Sequence, residues 1–329
     1  MRKWNLLVGA LISLVCLVLA FAGVEWRRAG EALQRGDWRY LLPAGAALLG
    51  YLLARASRWR ILLGSQVGLV DTFSVTNIGY LISNVLPFRL GDPARAVAIG
   101  LDGKVKVSTA LSTVVVERVL DMLTVVLLLA VTVPFVDEAD WTRRAGFLGG
   151  SVGLIAIVAL FWLAIRPGWG RRVFRWALGR LPSIHEDRWL EWFDGLVEGL
   201  GALRSPRRAA GLIAWSIVTW VLTAGHYLAI LGAFIEHPKV VEASFLTAAT
   251  GLGMALPSAP GAMGVFHSVA RYALQLPFGV AAETAVAVAF AAHTFQYVVM
   301  SLLGLIGLLQ QNVTFAQLRA DATATVAKE

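Results

Sequence analysis

Long apolar runs alternate with short polar breaks along the chain. Runs of membrane-spanning length, about 20 residues, lie near 6–24, 40–63, 108–136, 146–165, 209–235 and 281–309. They predict an all-α polytopic membrane protein with about six full spans. Two segments, 73–101 and 243–275, do not fit a simple span. Each carries Leu-Pro-x-x-x-Gly near its middle, as Leu86-Pro87-Phe88-Arg89-Leu90-Gly91 and Leu256-Pro257-Ser258-Ala259-Pro260-Gly261. Proline lacks a backbone donor and clashes with the preceding turn, so a helix stops there. The flanks of each break are roughly 12–15 residues, too short for the bilayer. The pattern therefore predicts two re-entrant hairpins, each of two half-helices.

Such breaks are tolerated at membrane depth only inside protein or beside a wet cavity. A pair of them at corresponding places in two halves points to a transport site. Read as span, span, hairpin, span, the half near 1–136 repeats in the half near 146–311 with every direction reversed. That is an inverted-topology repeat. The run at 6–24 is read as a span, although Ala20-Phe21-Ala22 resembles a cleavage site for a leader.

Charge orients this layout. With a cytoplasmic N-terminus, the inner side receives Arg2, Lys3, Arg55, Arg58, Arg60, Lys104, Lys106, the arginines of 166–208, Arg319 and Lys328. The outer side receives only Arg27, Arg28, Arg35, Arg39, Arg143, Arg144 and Lys239. Cytoplasmic loops carry the excess of Lys and Arg, so both termini are expected inside. The 166–208 loop then lies inside too. Its stripe Trp189, Trp192, Phe193, Leu196, Val197, Leu200 and Leu203 follows helical spacing. It reads as an amphipathic helix, either on the membrane interface or packed under the bundle.

Composition agrees with a membrane chain: 57% hydrophobic, 15% charged, mean hydropathy +0.68. The net charge of +8 favours an anionic membrane surface over nucleic acid. The single cysteine, Cys16, allows no internal disulfide.

Candidate chemistry gathers at the first break. Asn84, Arg89, Asp92 and Arg95 are polar residues in an apolar region. Asp92 before Pro93 reads as an N-cap followed by proline at the first helical position. A helix N-terminus beside Arg89 and Arg95 suits a phosphate. Glu117, Arg118 and Asp121 lie in the following span, with Glu117 and Asp121 on one face. They read as a gate or coupling network, or as a structural ion set. Arg89 or Arg95 is the natural partner of Glu117. The second break is uncharged and offers backbone N–H groups, Ser258 and the close approach that Gly261 and Gly264 permit. Pro257 and Pro260 break the helix there, as Pro87 and Pro93 do in the first. His267 and Arg271 follow. No histidine pair has metal-ligand spacing on one helix, and no cofactor motif or Walker motif is present.

The stretch from Asn84 to Asp121 resembles the membrane domain of the lysylphosphatidylglycerol synthase family, also called flippase-like membrane proteins. The matching residues are Asn84, Pro87, Arg89, Gly91, Arg95 and Glu117-Arg118-x-x-Asp121, with Asp92 in place of a glutamate. Pro257 to Gly264 resembles the family's second motif. Ala262 replaces a glycine there, and His267 stands where a carboxylate is common. The resemblance implies a bacterial inner-membrane protein that moves lipid between leaflets. Asn84, Arg89, Gly91, Asp92, Arg95, Ser258, Gly261 and Gly264 would meet the headgroup. Glu117, Arg118, Asp121, His267 and Arg271 would gate it. Membrane lipids, and lipid-synthesis enzymes, are the expected partners. An accessory subunit of a lipid-synthesis pathway is the alternative. A Mg²⁺-dependent lipid phosphotransferase is another, since Gly91-Asp92-Pro93-Ala94-Arg95 superficially resembles one such signature.

Overall fold

The computed structural model describes residues 2–64, 66–86, 90–101, 105–136, 140–180, 186–256, 258–311 and 313. Pro87, Arg89 and Pro257 lie outside these residues, as do Lys104, Arg319 and Lys328. The described chain is helical, with short 3₁₀ turns and no strand among the described residues. The helices are α1 (Arg2–Phe21), α2 (Trp26–Arg35), α3 (Leu41–Leu63), α4 (Leu69–Val85), α5 (Gly91–Gly100), α6 (Val107–Thr132) and α7 (Asp140–Ile165). They continue with α8 (Pro167–Leu178), α9 (Glu186–Gly199), α10 (Pro206–Gly232), α11 (Val240–Gly253), α12 (Val265–Phe278) and α13 (Ala282–Gln311).

Three helices are long and apolar enough to cross a membrane by themselves: Phe147–Ile165 of α7, α10 and α13. A fourth candidate is the bent pair Gly9–Phe21 and Trp26–Arg35, which turns by 81°. Helices α3 and α6 have the length, 23 and 26 residues, but carry charges in mid-helix. Those charges are matched to each other, as described below. The outer face of α7 presents Phe147, Leu148, Val152, Ile155 and Val158 exposed, as a lipid-facing helix would. The protein is a multi-pass helical membrane protein.

Both breaks fall where the sequence places them. The first separates α4 from α5, of 17 and 10 residues. The second separates α11 from α12, of 14 residues each. Helix α3 packs on α10, α4 on α13, and α11 on α6. The α4–α13 seam is built on small residues. A Cβ at Gly304 would lie 2.6 Å from the Asn77 carbonyl oxygen, and one at Gly307 would lie 2.7 Å from that of Ser74. Close backbone approach of this kind is how helices associate in lipid, where the hydrophobic effect does not drive them together.

Hydroxyls inside the bundle are satisfied locally. Thr76, Thr124, Thr219, Thr223, Thr247 and Thr250 each donate to the carbonyl four residues back on their own helix. Below the bundle, Leu190, Phe193 and Val197 of α9 are buried, and α9 packs on α6. On α8, by contrast, Trp169, Val173 and Trp176 are exposed.

Candidate functional site

Helices α3 and α6 bring opposite charges together. Arg55 and Arg58 stand three apart on α3, and Glu117 and Asp121 four apart on α6, so each pair shares a face. The Arg55 guanidinium is 2.5 Å from Glu117 and 3.0 Å from Asp121. Arg58 Nη2 is 2.6 Å from Asp121 Oδ1 and 3.4 Å from Glu117 Oε1. All four side chains are buried. From α5, Arg95 Nη1 donates to Glu117 Oε2 at 3.2 Å. Its guanidinium also lies 4.5 Å from the Trp59 ring centre, a cation–π arrangement. Trp59 is itself fixed by an Nε1–H donated to Thr113 Oγ1 at 3.0 Å.

Asp92 corrects one expectation. It does not cap α5. The helix begins at Gly91, with Leu90 before it, and no side chain caps its start. Pro93 is therefore the third helical residue rather than the first. The Asp92 carboxylate is taken instead by Arg118, which donates through Nε at 2.9 Å and Nη2 at 2.7 Å. This is the fork-to-fork pairing that arginine makes with carboxylate. Arg118 is 35% exposed and Asp92 22%, which makes this pair the open edge of an otherwise closed cluster.

Arg55 and Arg58, counted by the charge pattern with the cytoplasmic side, are among the most buried polar residues of the chain. Two buried carboxylates on α6 require cations, and α3 supplies them. The sign was present in the sequence as two arginines one turn apart beside an apolar run.

Arg55, Arg58, Arg95 and Arg118 face Asp92, Glu117 and Asp121. Among the described residues, the cluster thus holds one more guanidinium than carboxylate. The Nε atoms of Arg55, Arg58 and Arg95, Nη2 of Arg95 and Oε1 of Glu117 are buried without a hydrogen bond, and Arg95 Nε lies 3.4 Å from Asp92 Oδ1. An excess buried charge is costly, so an anion at the open edge is electrostatically favoured. Each carboxylate is already engaged by arginine. No group of three or more His, Cys, Asp or Glu is arranged to hold a metal ion among the described residues.

A cavity of about 470 Å³ opens beside the Asp92–Arg118 pair. Both breaks wall it: Asn84, Leu86 and Asp92 from the first, Ser258, Ala259 and Gly261 from the second. Helices α3, α4, α6, α10, α11, α12 and α13 supply the rest of the wall. The two breaks meet here, since a Cβ at Gly261 would lie 3.6 Å from the Asn84 carbonyl oxygen.

Helix α13 holds both tips. His293 Nε2 donates to the Gly261 carbonyl at 2.8 Å, and the Tyr297 hydroxyl donates to the Asn84 carbonyl at 3.2 Å. Asn84 in turn donates to Ser301 Oγ at 3.0 Å. Gly261 and Ala262 both take left-handed backbone, at φ 63° and 54°. The glycine that the family pattern has at 262 suits that conformation.

Other expected site residues lie apart from the cavity. Gly91 is a contact between the arms of the first break: a Cβ there would strike the Gly79 carbonyl and Ser83 Oγ. Gly264, at φ 85°, is pressed against the Ser13 carbonyl of α1. Pro260, itself exposed, opens a 3₁₀ turn whose Gly261 and Ala262 are buried. His267 stands behind the wall, its ring 4.8 Å from that of His293. Arg271 reaches the end of α1, where Nη1 donates to the carbonyls of Leu19, Ala20 and Ala22 at 2.9, 3.0 and 2.9 Å. That is a C-terminal helix cap. The sequence reading missed the ring of Tyr51, Tyr80, Trp220 and Gln296 in the wall. Residues of these types inside a span carry no signal until the tertiary fold points them at one space.

Known proteins extend the picture. The glycosyltransferase AglD of Haloferax volcanii is 26% identical over 95% of this chain and 55% of its own length, so the chain spans about half of that relative. A UPF0104 membrane protein of Methanothermobacter thermautotrophicus is 23% identical over 80% of this chain and 82% of its own. No solved structure matches the chain. The lysylphosphatidylglycerol synthase TM region family matches residues 6–304, both breaks and the whole ion cluster included, and the chain belongs to that family.

Proposed function

We propose that the chain is a flippase or scramblase-like transporter that moves an anionic, phosphate-bearing lipid across the inner membrane. The observation that carries this reading is the cavity, where two broken helices from distant parts of the chain meet beside an arginine-rich edge. The headgroup enters between the tips, and its charge is held at Arg118, while Arg95, buried against Glu117 and Trp59, adds positive potential from behind the wall. The acyl tails stay in the bilayer while the two breaks alternate in exposure. Phospholipids, aminoacyl-phospholipids, polyprenyl-linked lipids and hopanoid-type lipids all fall within this class. The chain itself performs no covalent chemistry in this reading.

In this arrangement α1, α3, α6, α7, α10 and α13 are the six full spans. The pairs α4–α5 and α11–α12 are re-entrant hairpins entering from opposite sides, and both termini are cytoplasmic. The packing supports an inverted repeat. Helix α3 meets its counterpart α10, while the arms α4 and α11 exchange places to meet α13 and α6. Helix α8, with its exposed tryptophans and Arg171, Arg172 and Arg175, rests on the cytoplasmic headgroups.

One observation favours a second reading. The Haloferax relative is named a glycosyltransferase and is about twice as long as the matched region. An accessory membrane subunit, working beside a separate lipid-synthesis enzyme, fits that relation.

The test is reconstitution into vesicles with a phospholipid labelled on its headgroup. Membrane-impermeant quenching measures how fast the label crosses. Protein-dependent crossing that falls at least tenfold in Arg118→Gln supports transport. Crossing no faster than in empty vesicles, with the protein monodisperse and correctly inserted, overturns it.

A further inference from the structure

The cavity has a mouth, and the exposure of its lining locates it. Three consecutive lining residues, Met254, Ala255 and Leu256, are exposed, and the other lining residues are buried or half-buried. Met254 is 37% exposed and Leu256 48%. The three form the shoulder where α11 ends at the second break. None of them has a polar side chain. Their backbone donors are spent inside the shoulder as well. The N–H of Met254 donates to the Thr250 carbonyl at 2.8 Å, that of Ala255 to Leu252 at 2.9 Å, and that of Leu256 to Gly253 at 3.0 Å.

A shoulder with its donors satisfied and only hydrocarbon on show suits lipid chains and not water. The same cavity has a polar edge at Asp92 and Arg118. Helices α6 and α11 join the two. A Cβ at Gly251 of α11 would lie 3.0 Å from the Val125 side chain of α6. Met254 stands three residues beyond Gly251, and Arg118 seven residues before Val125, roughly 10 Å along the helix. One cavity therefore combines an apolar lip with a cationic one. A soluble anion uses only the cationic lip, whereas a molecule with an anionic head and hydrocarbon chains uses both. Met122 and Met300 line the cavity together with Met254. Their unbranched, polarizable side chains adapt to chains of different shape.

We propose that Met254, Ala255 and Leu256 form a lateral portal: the hydrocarbon chains of the bound lipid leave the cavity over these three residues while its phosphate sits at Arg118. This rests on the reading of the cavity as a lipid headgroup site and adds the place where the chains pass. The exposed, donor-free shoulder is the basis for the chains. The charged edge is the basis for the phosphate.

The experiment is photolabelling of the purified protein in phosphatidylcholine nanodiscs. The probe is a phosphatidylglycerol with a carbene precursor halfway along one acyl chain, and labelled positions are read by peptide mass spectrometry. Label is expected at residues 254–256, and also at Phe147, Val152 and Val158 on the exposed face of α7, which meets bulk lipid. Excess dihexanoyl phosphatidylglycerol is expected to lower the label at 254–256 by roughly threefold or more and to leave that on α7 unchanged. Arg118→Gln is expected to lower it by a similar factor, because the chains are held there through the head. Label on α7 alone would overturn the portal. Label at 254–256 that neither the competitor nor Arg118→Gln lowers would mark ordinary boundary lipid and overturn it too. Displacement by the competitor with no effect of Arg118→Gln would overturn the pairing of the two lips. The label reads where a chain rests, not whether a head crosses. A protein labelled at the lip that fails the vesicle assay keeps the portal and loses transport, and one that passes that assay without label at the lip loses the portal alone.

Discussion

Arg95 reaches from α5 to Glu117 on α6 at 3.2 Å, with its guanidinium stacked over Trp59 of α3. One side chain thereby ties the inner arm of the first break to two long helices. Glu117 is fully buried and also faces Arg55 and Arg58. Removing its charge takes from Arg95 its hydrogen-bonded carboxylate and leaves Arg55 and Arg58 with Asp121 alone. Losing one partner of a buried ion pair costs about 3–5 kcal/mol. Glu117→Gln is expected to lower the melting temperature in detergent strongly, and more than Asp92→Asn at the open edge. Thermal unfolding of the two variants side by side checks this order.

Asp92 and Arg118 should separate function from stability. Their pair is partly open to the cavity, so losing it costs less than losing the buried pairs of Glu117. Arg118→Gln is expected to lower the melting temperature less than Glu117→Gln while abolishing most headgroup movement. Exchanging the two residues, as Asp92→Arg with Arg118→Asp, restores the ion pair but moves the cation. If the exchange recovers transport, the pair acts as a brace and not as a headgroup contact.

The arms of the first break meet at Gly79 and Gly91. A side chain at Gly91 has no room against the Gly79 carbonyl, so α4 and α5 would have to part. Such overpacking typically costs about 1–3 kcal/mol. Gly91→Ala is expected to destabilise the protein by that order. Gly225 on α10 has open space around its Cβ position, and Gly225→Ala is expected to be neutral or slightly stabilising. Unfolding midpoints of both variants decide the matter.

Ala262 should behave in the opposite sense. It sits at φ 54° with a Cβ that this conformation disfavours. Left-handed backbone costs a non-glycine residue roughly 1–2 kcal/mol, part of which returns through the freer unfolded chain of a glycine. Ala262→Gly is expected to raise stability by up to about 1 kcal/mol, measured in the same unfolding assay.

A cysteine pair can test whether the first tip must move. Asn84 and Ser301 are in hydrogen-bond contact at 3.0 Å. With Cys16 replaced, Asn84→Cys and Ser301→Cys should form a disulfide under mild oxidation. Transport is expected to stop on oxidation and return on reduction. Unchanged transport in the cross-linked protein would mean that this tip stays fixed during turnover.

Much of the architecture was legible because it depends on local rules. Proline and glycine mark the ends of α4 and α11 whatever surrounds them, so both breaks were readable. Apolar run length located the long helices. The pairing of Arg95 with Glu117 followed from the cost of a lone charge in an apolar segment. What escaped was decided by tertiary contact. Arg55 and Arg58 look like interfacial charges until α6 is laid against α3. Asp92 looks like a cap until Arg118 claims it. Arg271 looks like a pathway cation until the end of α1 arrives beside it. The apolar lip at residues 254–256 exists only in three dimensions, since a sequence holds no information about which wall residues stand at a mouth.

The two latches on α13 have a mechanical consequence. His293 grips the second tip and Tyr297 the first, one turn apart on the same face of one rod. Neither tip can be released by a rotation of that rod without disturbing the bond that holds the other. Any shift of the single helical turn that carries His293 and Tyr297 is therefore a load shared by both tips.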